Sequence, residues 1–378
     1  SGIVLERLTV VTPDGEHLQA GASAAGLQAI LVLRSWRAVW RVLLAGDVGL
    51  GEAYRDGDFD TPDLTALIDL FPRNGAPLQR FFSGSWPGRL LHRARHLPNA
   101  NTRGGSRRNI IAHYDLGNAF YARWLDEGMI YSSALYEARG ETLEAAQRRK
   151  LDRIVAMLDL SGGEHVLEIG CGWGALAERL AREGCRVTAI TLSPAQAEVA
   201  ARRVAETGLA DRVEIRLEDY RDVSGRFDRV VSIEMIEAVG YAYWPAYFTA
   251  LSRALSPGGR AVLQSITIDE RLFDSYRRGA DFIQSHVFPG GCLPSVAAIR
   301  REAEAAGLAV SERLDFGASY AQTLRAWRSR FQDGWHDIAA LGFDEPFRRF
   351  WDFYLCYCEA GFRARTIDVS LMVLRADR

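Results

Sequence analysis

The chain has 378 residues, of which 48% are hydrophobic and 25% are charged, so it can bury full-sized cores, and its length favours two or three domains. Its formal net charge of -2 at pH 7 argues against a protein that coats nucleic acid. The five cysteines lack the spacing of a disulfide framework and favour a reducing compartment, with the cytoplasm as the default. The seven histidines are scattered, so no metal site is predicted.

The N-terminal residues are predicted to contain one strand or hairpin followed by helices. Residues 3–11 alternate apolar and polar side chains, which is typical of a strand. Apolar residues recur at three- and four-residue spacing over 27–44 and predict a helix, and its three arginines exclude a membrane-spanning segment. A short helix is predicted over 63–71, capped by Thr61 or Asp63.

The arginines are unevenly placed along the chain. Among the 46 basic residues Lys150 is the only lysine, a bias that we interpret as compositional and not functional. Residues 70–114 hold eight arginines and no acidic residue. Residues 83–106 within this stretch are rich in Gly, Pro and Asn and are predicted to be a basic linker. The alternative is a contact with a membrane surface, because arginine can bind lipid phosphates while tryptophan and leucine enter the interface.

From residue 141 onward the sequence alternates between helices and short β-branched strands. Strands are predicted over 166–169, 186–191, 213–217, 227–233 and 260–266, and helices over 141–158, 175–183, 194–207 and 244–256. This alternation predicts an α/β fold with a doubly wound (Rossmann-like) parallel sheet. A helix-rich insertion over 324–362 precedes a last strand over 366–374.

A glycine-rich turn follows the first of these strands. Gly170, Gly172 and Gly174 alternate with other residues and let a ligand approach the backbone at a helix N-terminus. Glu168 lies inside the strand, where a carboxylate pairs with a cationic or amino-bearing ligand and repels a pyrophosphate. At the topological switch point of the sheet this favours S-adenosylmethionine over a dinucleotide.

The next two strands supply candidates for the rest of the cofactor. The usual acidic residue for ribose hydroxyls is missing after the second strand, so Thr191 or Gln196 is expected to substitute. Glu218 and Asp219 follow the third strand, where an acidic side chain accepts the adenine amino group. The sequence does not rank these two residues.

Many ordered motifs from about residue 105 to the end resemble the cyclopropane-fatty-acyl-phospholipid synthase family. They include the runs at 113–118, 131–132, 168–174, 191–193, 219–222, 288–295, 317–320, 323–327 and 361–363. The resemblance implies a class I methyltransferase fold with a helical lid insertion and a smaller, mostly helical N-terminal domain. It also implies S-adenosylmethionine-dependent methylation of a cis double bond in an acyl chain, through a carbocation. By the same resemblance Tyr131, Ser132, Trp173 and Leu192 join the predicted cofactor-binding residues.

Several predicted catalytic positions depart from the pattern of cyclopropane synthases. Tyr320 and Glu237 match the active-site tyrosine and glutamate of the family. Ser133 and Ser265 stand where a Cys and a His are expected to hold a bicarbonate base, and Glu234 stands where Gly is common. Bicarbonate binding is therefore left open, and we hypothesise that Glu234 replaces that anion. If the turn is helical, the two glutamates share a face.

These departures resemble the branch of the family that forms methylene- or methyl-branched chains, which we take as the predicted function. A cyclopropane synthase is the first alternative, and a methyltransferase of small molecules or nucleic acids and a non-catalytic lipid-binding protein are more remote. The predicted domains are 1–82 for lipid interaction, the linker 83–106, and the catalytic domain 107–378, whose insertion 324–362 binds the acyl chain. The expected partners are a phospholipid with an unsaturated acyl chain and an anionic membrane surface at the inner face of the cell membrane, with no nucleic acid. A reductase partner and a homodimer stay open.

Overall fold

The computed structural model describes residues 7–21, 26–73, 105, 116–138 and 140–376. The strands are β1 (Arg7–Val11), β2 (His17–Ala20), β3 (Gln28–Leu33), β4 (Phe59–Asp60), β5 (His165–Ile169), β6 (Arg186–Thr191), β7 (Val213–Leu217), β8 (Phe227–Ile233), β9 (Leu255–Ile268), β10 (Leu308–Asp315) and β11 (Ile367–Ala376). The α-helices are α1 (Arg37–Arg55), α2 (Leu64–Arg73), α3 (Asn118–Tyr121), α4 (Leu143–Leu158), α5 (Ala175–Arg182), α6 (Pro194–Glu206), α7 (Ile236–Val239), α8 (Trp244–Ala254), α9 (Glu270–Tyr276), α10 (Val296–Ala305), α11 (Gly317–Asp333), α12 (Trp335–Ala340) and α13 (Glu345–Arg363). A π-helical turn covers Ile283–Val287.

The larger sheet confirms the predicted doubly wound α/β fold. Its seven strands run in the order β10-β11-β9-β8-β5-β6-β7, and β5 pairs in parallel with both β6 and β8. The chain therefore reverses its winding direction at β5, so the turn after β5 lies at the switch point. The edge strand β10 was not predicted, because most of its residues are exposed or half-buried and give no run of apolar side chains.

The helix predicted over residues 27–44 is wrong in its first part. Gln28–Leu33 forms β3, which pairs in parallel with β1 and antiparallel with β4, and α1 begins only at Arg37. A short apolar run fits a buried strand as well as a helix, and the β-branched Ile30 and Val32 favour the strand. The second predicted helix is α2, and the Asp63 carboxylate accepts the backbone N–H of Ala66 at 2.9 Å.

The chain divides into two compact units that do not follow sequence order. One unit comprises Ser1–Pro98, Arg278–Pro289 and Leu324–Ile367, and the other comprises Asn99–Arg277, Gly290–Thr323 and Asp368–Arg378. The insertion at 324–362, predicted as part of the catalytic domain, thus groups with the N-terminal residues. Its acyl-binding role stays a prediction. Apart from Gly105, the predicted linker at 83–106 lies outside the described residues.

Helix α13 forms the core of the first unit by packing against α1 and α2. Phe353 and Tyr357 on α13 contact the ring of Phe282, with centroids 4.7 and 5.9 Å away. Gly51 on α1 makes this packing close, since a Cβ there would lie 2.3 Å from the Phe282 ring. The aromatic residues of α13 therefore act first as core residues.

One carboxylate ties three helices of this unit together. Asp352 on α13 accepts hydrogen bonds from Arg328 at 2.7 Å and Gln332 at 2.7 Å, both on α11, and from the Tyr54 hydroxyl of α1 at 3.3 Å. Asp352 is buried. Such an ion pair fixes the register of the helices, although its net contribution to stability is small compared with the cost of breaking it.

We expect Asp352→Ala to lower the free energy of unfolding by about 3 kcal/mol, because it leaves the Arg328 guanidinium without its buried partner. Chemical denaturation followed by circular dichroism measures this change. The double variant Asp352→Leu/Arg328→Met removes both charges and should lose clearly less stability than Asp352→Ala alone. A double variant that is less stable than the single one would contradict the interpretation.

Candidate active site

The glycine-rich turn after β5 forms an open cradle at the switch point of the sheet. Gly170, Gly172 and Gly174 have positive φ angles of 82°, 51° and 85°, which favour glycine. The backbone N–H of Gly170 donates to the carbonyl of Ile190 on β6 and fixes the turn against the sheet. A Cβ on Gly172 would meet no atom within 4 Å, so this part of the turn faces open space. The turn can therefore accept a ligand against its backbone.

Glu168 supplies a buried carboxyl group directly below this turn. The side chain is buried, and its Oε2 atom has no hydrogen-bond partner among the described residues. Burial raises the pKa of Glu168 to about 8, whereas the charge of Lys150 and the backbone N–H of Ala177 act in the opposite direction. A buried oxygen without a partner is costly unless a ligand satisfies it, which fits a cationic or hydrogen-bond-donating ligand.

The other predicted cofactor residues lie along the same edge of the sheet. The Thr191 hydroxyl donates to Gln196 Oε1 at 2.9 Å, and both side chains are buried. The Trp173 indole N–H donates to Asn118 Oδ1 at 2.8 Å. Leu192 is half-buried beside them. Thr191 and Gln196 are thus hydrogen-bonded to each other, and their role as substitutes for the ribose-binding residue stays a prediction.

The two acidic candidates after β7 differ in their partners. Asp219 binds Arg221 through both carboxylate oxygens, at 2.8 and 2.7 Å. Glu218 lies 3.6 Å from the Arg216 guanidinium and stays partly exposed. Each carboxylate therefore has an arginine neighbour, and their order as adenine acceptors stays open.

Glu234 is held by three hydrogen-bond donors from distant parts of the chain. Its Oε1 accepts the backbone N–H of Ser133 at 2.9 Å and the Gln264 amide at 2.6 Å, and its Oε2 accepts the Tyr320 hydroxyl at 2.7 Å. The structure thus brings together the predicted residues Ser133, Glu234 and Tyr320. Burial raises the pKa of Glu234, and the three donors together with the charge of Lys150 counteract that rise.

Glu237 lies beside Glu234 in a less polar environment. Its Oε1 accepts the backbone N–H of Ile266, and its Oε2 has no partner among the described residues. Burial, followed by the charge of Glu234, raises the pKa of Glu237 to about 8. The condition for both glutamates to share a helix face is not met, because Glu234 precedes α7 with a φ of 49°. The left-handed turn, and not a helix, brings the carboxyl groups together.

The two serines expected in place of anion ligands bind backbone carbonyls. The Ser133 hydroxyl donates to the Ala134 carbonyl at 2.9 Å, and the Ser265 hydroxyl donates to the Ile266 carbonyl at 2.9 Å. Ser133 nevertheless contributes its backbone N–H to Glu234, and Ser265 neighbours the Glu237 carboxyl. Their catalytic roles stay predictions.

Two residues that contact the predicted site were missed by sequence reasoning. Gln264 was noted only as part of a motif, yet its amide binds Glu234 directly. Lys150 is fully buried, and its ammonium donates to the Ser132 hydroxyl at 2.7 Å. The neighbouring Tyr131 packs its ring against Tyr121 and Trp124. The rarity of lysine in this chain was the one sign that pointed to Lys150.

Two features are absent from the part of the chain that the structure describes. That part contains no cluster of three or more His, Cys, Asp or Glu residues that could bind a metal ion. Within the same residues, no helix combines the length and apolar character that crossing a membrane requires.

The switch-point cradle, the buried Glu168 and the parallel sheet define an S-adenosylmethionine-dependent methyltransferase. The family model of mycolic acid cyclopropane synthetases matches residues 102–372, and the chain belongs to this family. Tuberculostearic acid methyltransferase UfaA1 of Mycobacterium tuberculosis is 40% identical over 96% of this chain and 86% of its own length. Cyclopropane-fatty-acyl-phospholipid synthase of Escherichia coli K12 is 37% identical over 88% and 84%.

Solved structures agree with this assignment. The crystal structure of mycolic acid cyclopropane synthase CmaA1 with SAH and CTAB is 31% identical, has a TM-score of 0.67, and covers 71% of this chain and 97% of its own. Coclaurine N-methyltransferase, at 20% identity and a TM-score of 0.68, shares the fold over 87% of this chain and 99% of its own. The predicted cofactor and enzyme class are thus confirmed.

The residues present fit S-adenosylmethionine. The unpartnered Glu168 Oε2 suits a ligand that carries positive charge and amino groups, and the open space at Gly172 admits it next to the backbone. Thr191 and Gln196 offer a hydroxyl and an amide for the ribose.

We expect Glu168→Gln to weaken S-adenosylmethionine binding on the order of tenfold to a hundredfold, because a charge-assisted hydrogen bond is lost. The pKa of Glu168 is about 8 in the free protein, and a cation favours its ionised form, so wild-type affinity should rise as the pH increases toward about 8. Isothermal titration calorimetry at several pH values measures both effects. Equal pH dependence in Glu168→Gln and wild type would contradict the role of this carboxyl.

Proposed function

We propose that this enzyme methylates the double bond of unsaturated acyl chains in membrane phospholipids and yields methylene- or methyl-branched chains. The curated relatives, named for tuberculostearic acid methylation and for cyclopropane-fatty-acyl-phospholipid synthesis, support an acyl-chain substrate. The observation that carries the branched product is the Glu234 carboxylate. This carboxylate accepts hydrogen bonds from Ser133 and Tyr320, at the place where the resemblance predicts a bicarbonate ion.

The protein's own groups suit a reaction that passes through a carbocation. When bound, S-adenosylmethionine supplies an electrophilic methyl group. The Tyr320 ring and the Glu234 carboxylate provide electron density and negative charge close to each other, and both stabilise a cation that develops beside them. Because the site is buried, water is excluded and these interactions are strong.

The two glutamates divide the acid and base roles. Glu234 accepts three hydrogen bonds and interacts with the charge of Lys150, so it is the carboxyl that loses its proton first. Glu237, whose pKa is raised to about 8 partly by the charge of Glu234, keeps its proton at neutral pH. When the environments of two neighbouring carboxyl groups separate their pKa values in this way, one group serves as the base and the other stays neutral. Glu234 is therefore the base that accepts a proton from the methylated chain.

Ring closure and branching differ in when the proton leaves. Loss of a proton from the added methyl group closes a cyclopropane ring, whereas a prior hydride shift to the cationic carbon followed by the same loss leaves a methylene branch. Three hydrogen bonds hold the Glu234 carboxylate in place, and we propose that a base fixed at this position takes the proton after the hydride shift. Conversion of a methylene to a methyl branch needs a hydride-donating reductase as a separate partner.

We expect Glu234→Gly to lower the methylation rate on the order of a hundredfold to ten-thousandfold, because it removes the base. Glycine tolerates the φ of 49° at this position, so the fold should be retained. Added bicarbonate should restore part of the activity by binding Ser133, Gln264 and Tyr320 in place of the carboxylate. Activity and products are measured with unsaturated phospholipid vesicles and mass spectrometry of the acyl chains.

Two matched variants control this experiment. Glu234→Gln removes the charge but still fills the site, so bicarbonate should not rescue it. Glu237→Gln replaces a carboxyl group that is already neutral with an amide of similar size, so it should lower the methylation rate less than Glu234→Gln does. A wild-type enzyme that needs bicarbonate, or that forms only cyclopropane rings, would overturn the proposed function in favour of a cyclopropane synthase.

We further propose that the enzyme works in the cytoplasm at the inner face of the cell membrane, since its substrate lies in the bilayer. Residues 70–114 contain eight arginines and no acidic residue, which supports binding to an anionic membrane surface. Most of this segment lies outside the described residues.

Vesicles containing anionic phospholipid should therefore bind the protein more tightly than zwitterionic ones, and high salt should weaken that binding, because exposed charges are screened. Co-sedimentation at two salt concentrations measures the difference. Duplex DNA serves as the control polyanion. DNA binding as tight as vesicle binding would contradict a membrane-specific surface.

A further inference from the structure

The single lysine of the chain is buried next to the candidate active site. The other 45 basic residues are arginines, yet position 150 on α4 carries a lysine with 1% of its surface exposed. A lysine is almost never fully buried unless its charge is compensated. The compositional bias described above therefore has one exception, and that exception coincides with an unusual environment.

Carboxyl groups from three separate parts of the fold influence the charge of Lys150. Burial lowers the pKa of Lys150 to about 8, and the charges of Glu234 after β8, Asp126 after α3 and Glu168 on β5 counteract that decrease. Glu237 is linked to these groups indirectly, because the charge of Glu234 raises its pKa. In return, the charge of Lys150 lowers the pKa values of Glu168, Glu234 and Asp126. The ionisation of the ammonium and that of these acids therefore influence each other.

Lys150 also fixes the segment that carries Ser132 and Ser133. Its Nζ donates to the Ser132 hydroxyl at 2.7 Å. One turn earlier on α4, Gln147 donates to the Ser132 carbonyl at 2.9 Å. Residues three apart on a helix face the same side, so Lys150 and Gln147 together hold Ser132 through its hydroxyl and its carbonyl. The next backbone N–H, that of Ser133, donates to Glu234 at 2.9 Å.

We propose that Lys150 is a positioning residue, whose ammonium holds the segment at 131–133 and favours the ionised forms of Glu168 and Glu234 in the buried site. The effect of Lys150 on the ionisation of Glu168 concerns cofactor binding. Its effect on Glu234 concerns catalysis and rests on the proposed function, in which Glu234 is the base. Lys150 acts through these groups and through Ser132. Lysine suits this task better than arginine, because its compact ammonium serves one hydroxyl and several carboxylates as a point charge, whereas a guanidinium needs a planar set of acceptors.

The first test uses the wild-type chain, in which one lysine gives one set of side-chain signals. Protein labelled with ¹³C-lysine is titrated while the ε-methylene resonance is followed by NMR. We expect a midpoint close to the value of about 8 given above and below the ordinary value of about 10.4, and a further decrease in Glu234→Gln, which removes one supporting charge. A midpoint near the ordinary value that Glu234→Gln does not move would overturn the proposal.

The second test separates charge from packing. Lys150→Met keeps much of the length and removes the ammonium, so the pKa values of Glu168 and Glu234 should rise. The methylation rate and the affinity for S-adenosylmethionine both fall at low pH, and the acidic limb of each pH profile should shift by about one unit to higher pH. Gln147→Met is the matched control, because it removes the other half of the clamp without changing charge and should lower activity at every pH equally.

The outcomes distinguish this proposal from the proposed function. An unshifted limb in folded Lys150→Met, or an equal shift in Gln147→Met, would overturn the positioning role. The NMR titration and the cofactor-binding profile need no acyl substrate, so they can succeed even if product analysis finds only cyclopropane rings. Conversely, branched products from an enzyme whose Lys150 titrates normally would support the function and reject the role of Lys150.

Discussion

The active site depends on burying several carboxyl groups where the parallel strands end. Glu168, Glu234 and Glu237 lie in an environment that raises the pKa of each, since burial disfavours the ionised form. Each charge must be compensated by hydrogen bonds, by Lys150 or by a ligand. The neighbouring features follow from this constraint: donors converge on Glu234, Lys150 is fully enclosed, and the Glu168 oxygen without a partner is left for a cationic cofactor.

Backbone donors from strand β9 and from the segment at 131–133 stabilise this arrangement. The N–H groups of Ser133 and Ile266 reach Glu234 and Glu237 without adding side-chain entropy. The left-handed backbone at Glu234 lets its side chain turn back toward Ser133 and Tyr320. Strain at a non-glycine residue in this conformation costs on the order of 1 kcal/mol, and it persists because the surrounding hydrogen bonds over-determine the geometry.

The sequence predicted those helices and strands whose pattern of residues lies within the element itself. Strands β6, β7 and β8 match their predicted bounds, since each is a short run that contains β-branched residues. β3 was mistaken for a helix because an apolar run has no decisive period, and its strand character depends on pairing with β1, about 20 residues away. The grouping of residues 324–367 with the N-terminal unit is likewise a long-range property that no local pattern carries.

The same distinction applies to the site. The glycine turn and Glu168 were predictable because strand, turn and helix follow one another in the sequence. Gln264 and Lys150 reach the site from 30 residues after Glu234 and 18 residues after Ser132, so only the fold reveals their partners. Composition nevertheless held a clue. In a chain whose other 45 basic residues are arginines, the one lysine indicates a position that a guanidinium does not suit. The physical reason is that this buried position, which the charges of Glu234, Asp126 and Glu168 influence, needs a compact cation whose ionisation responds to its neighbours.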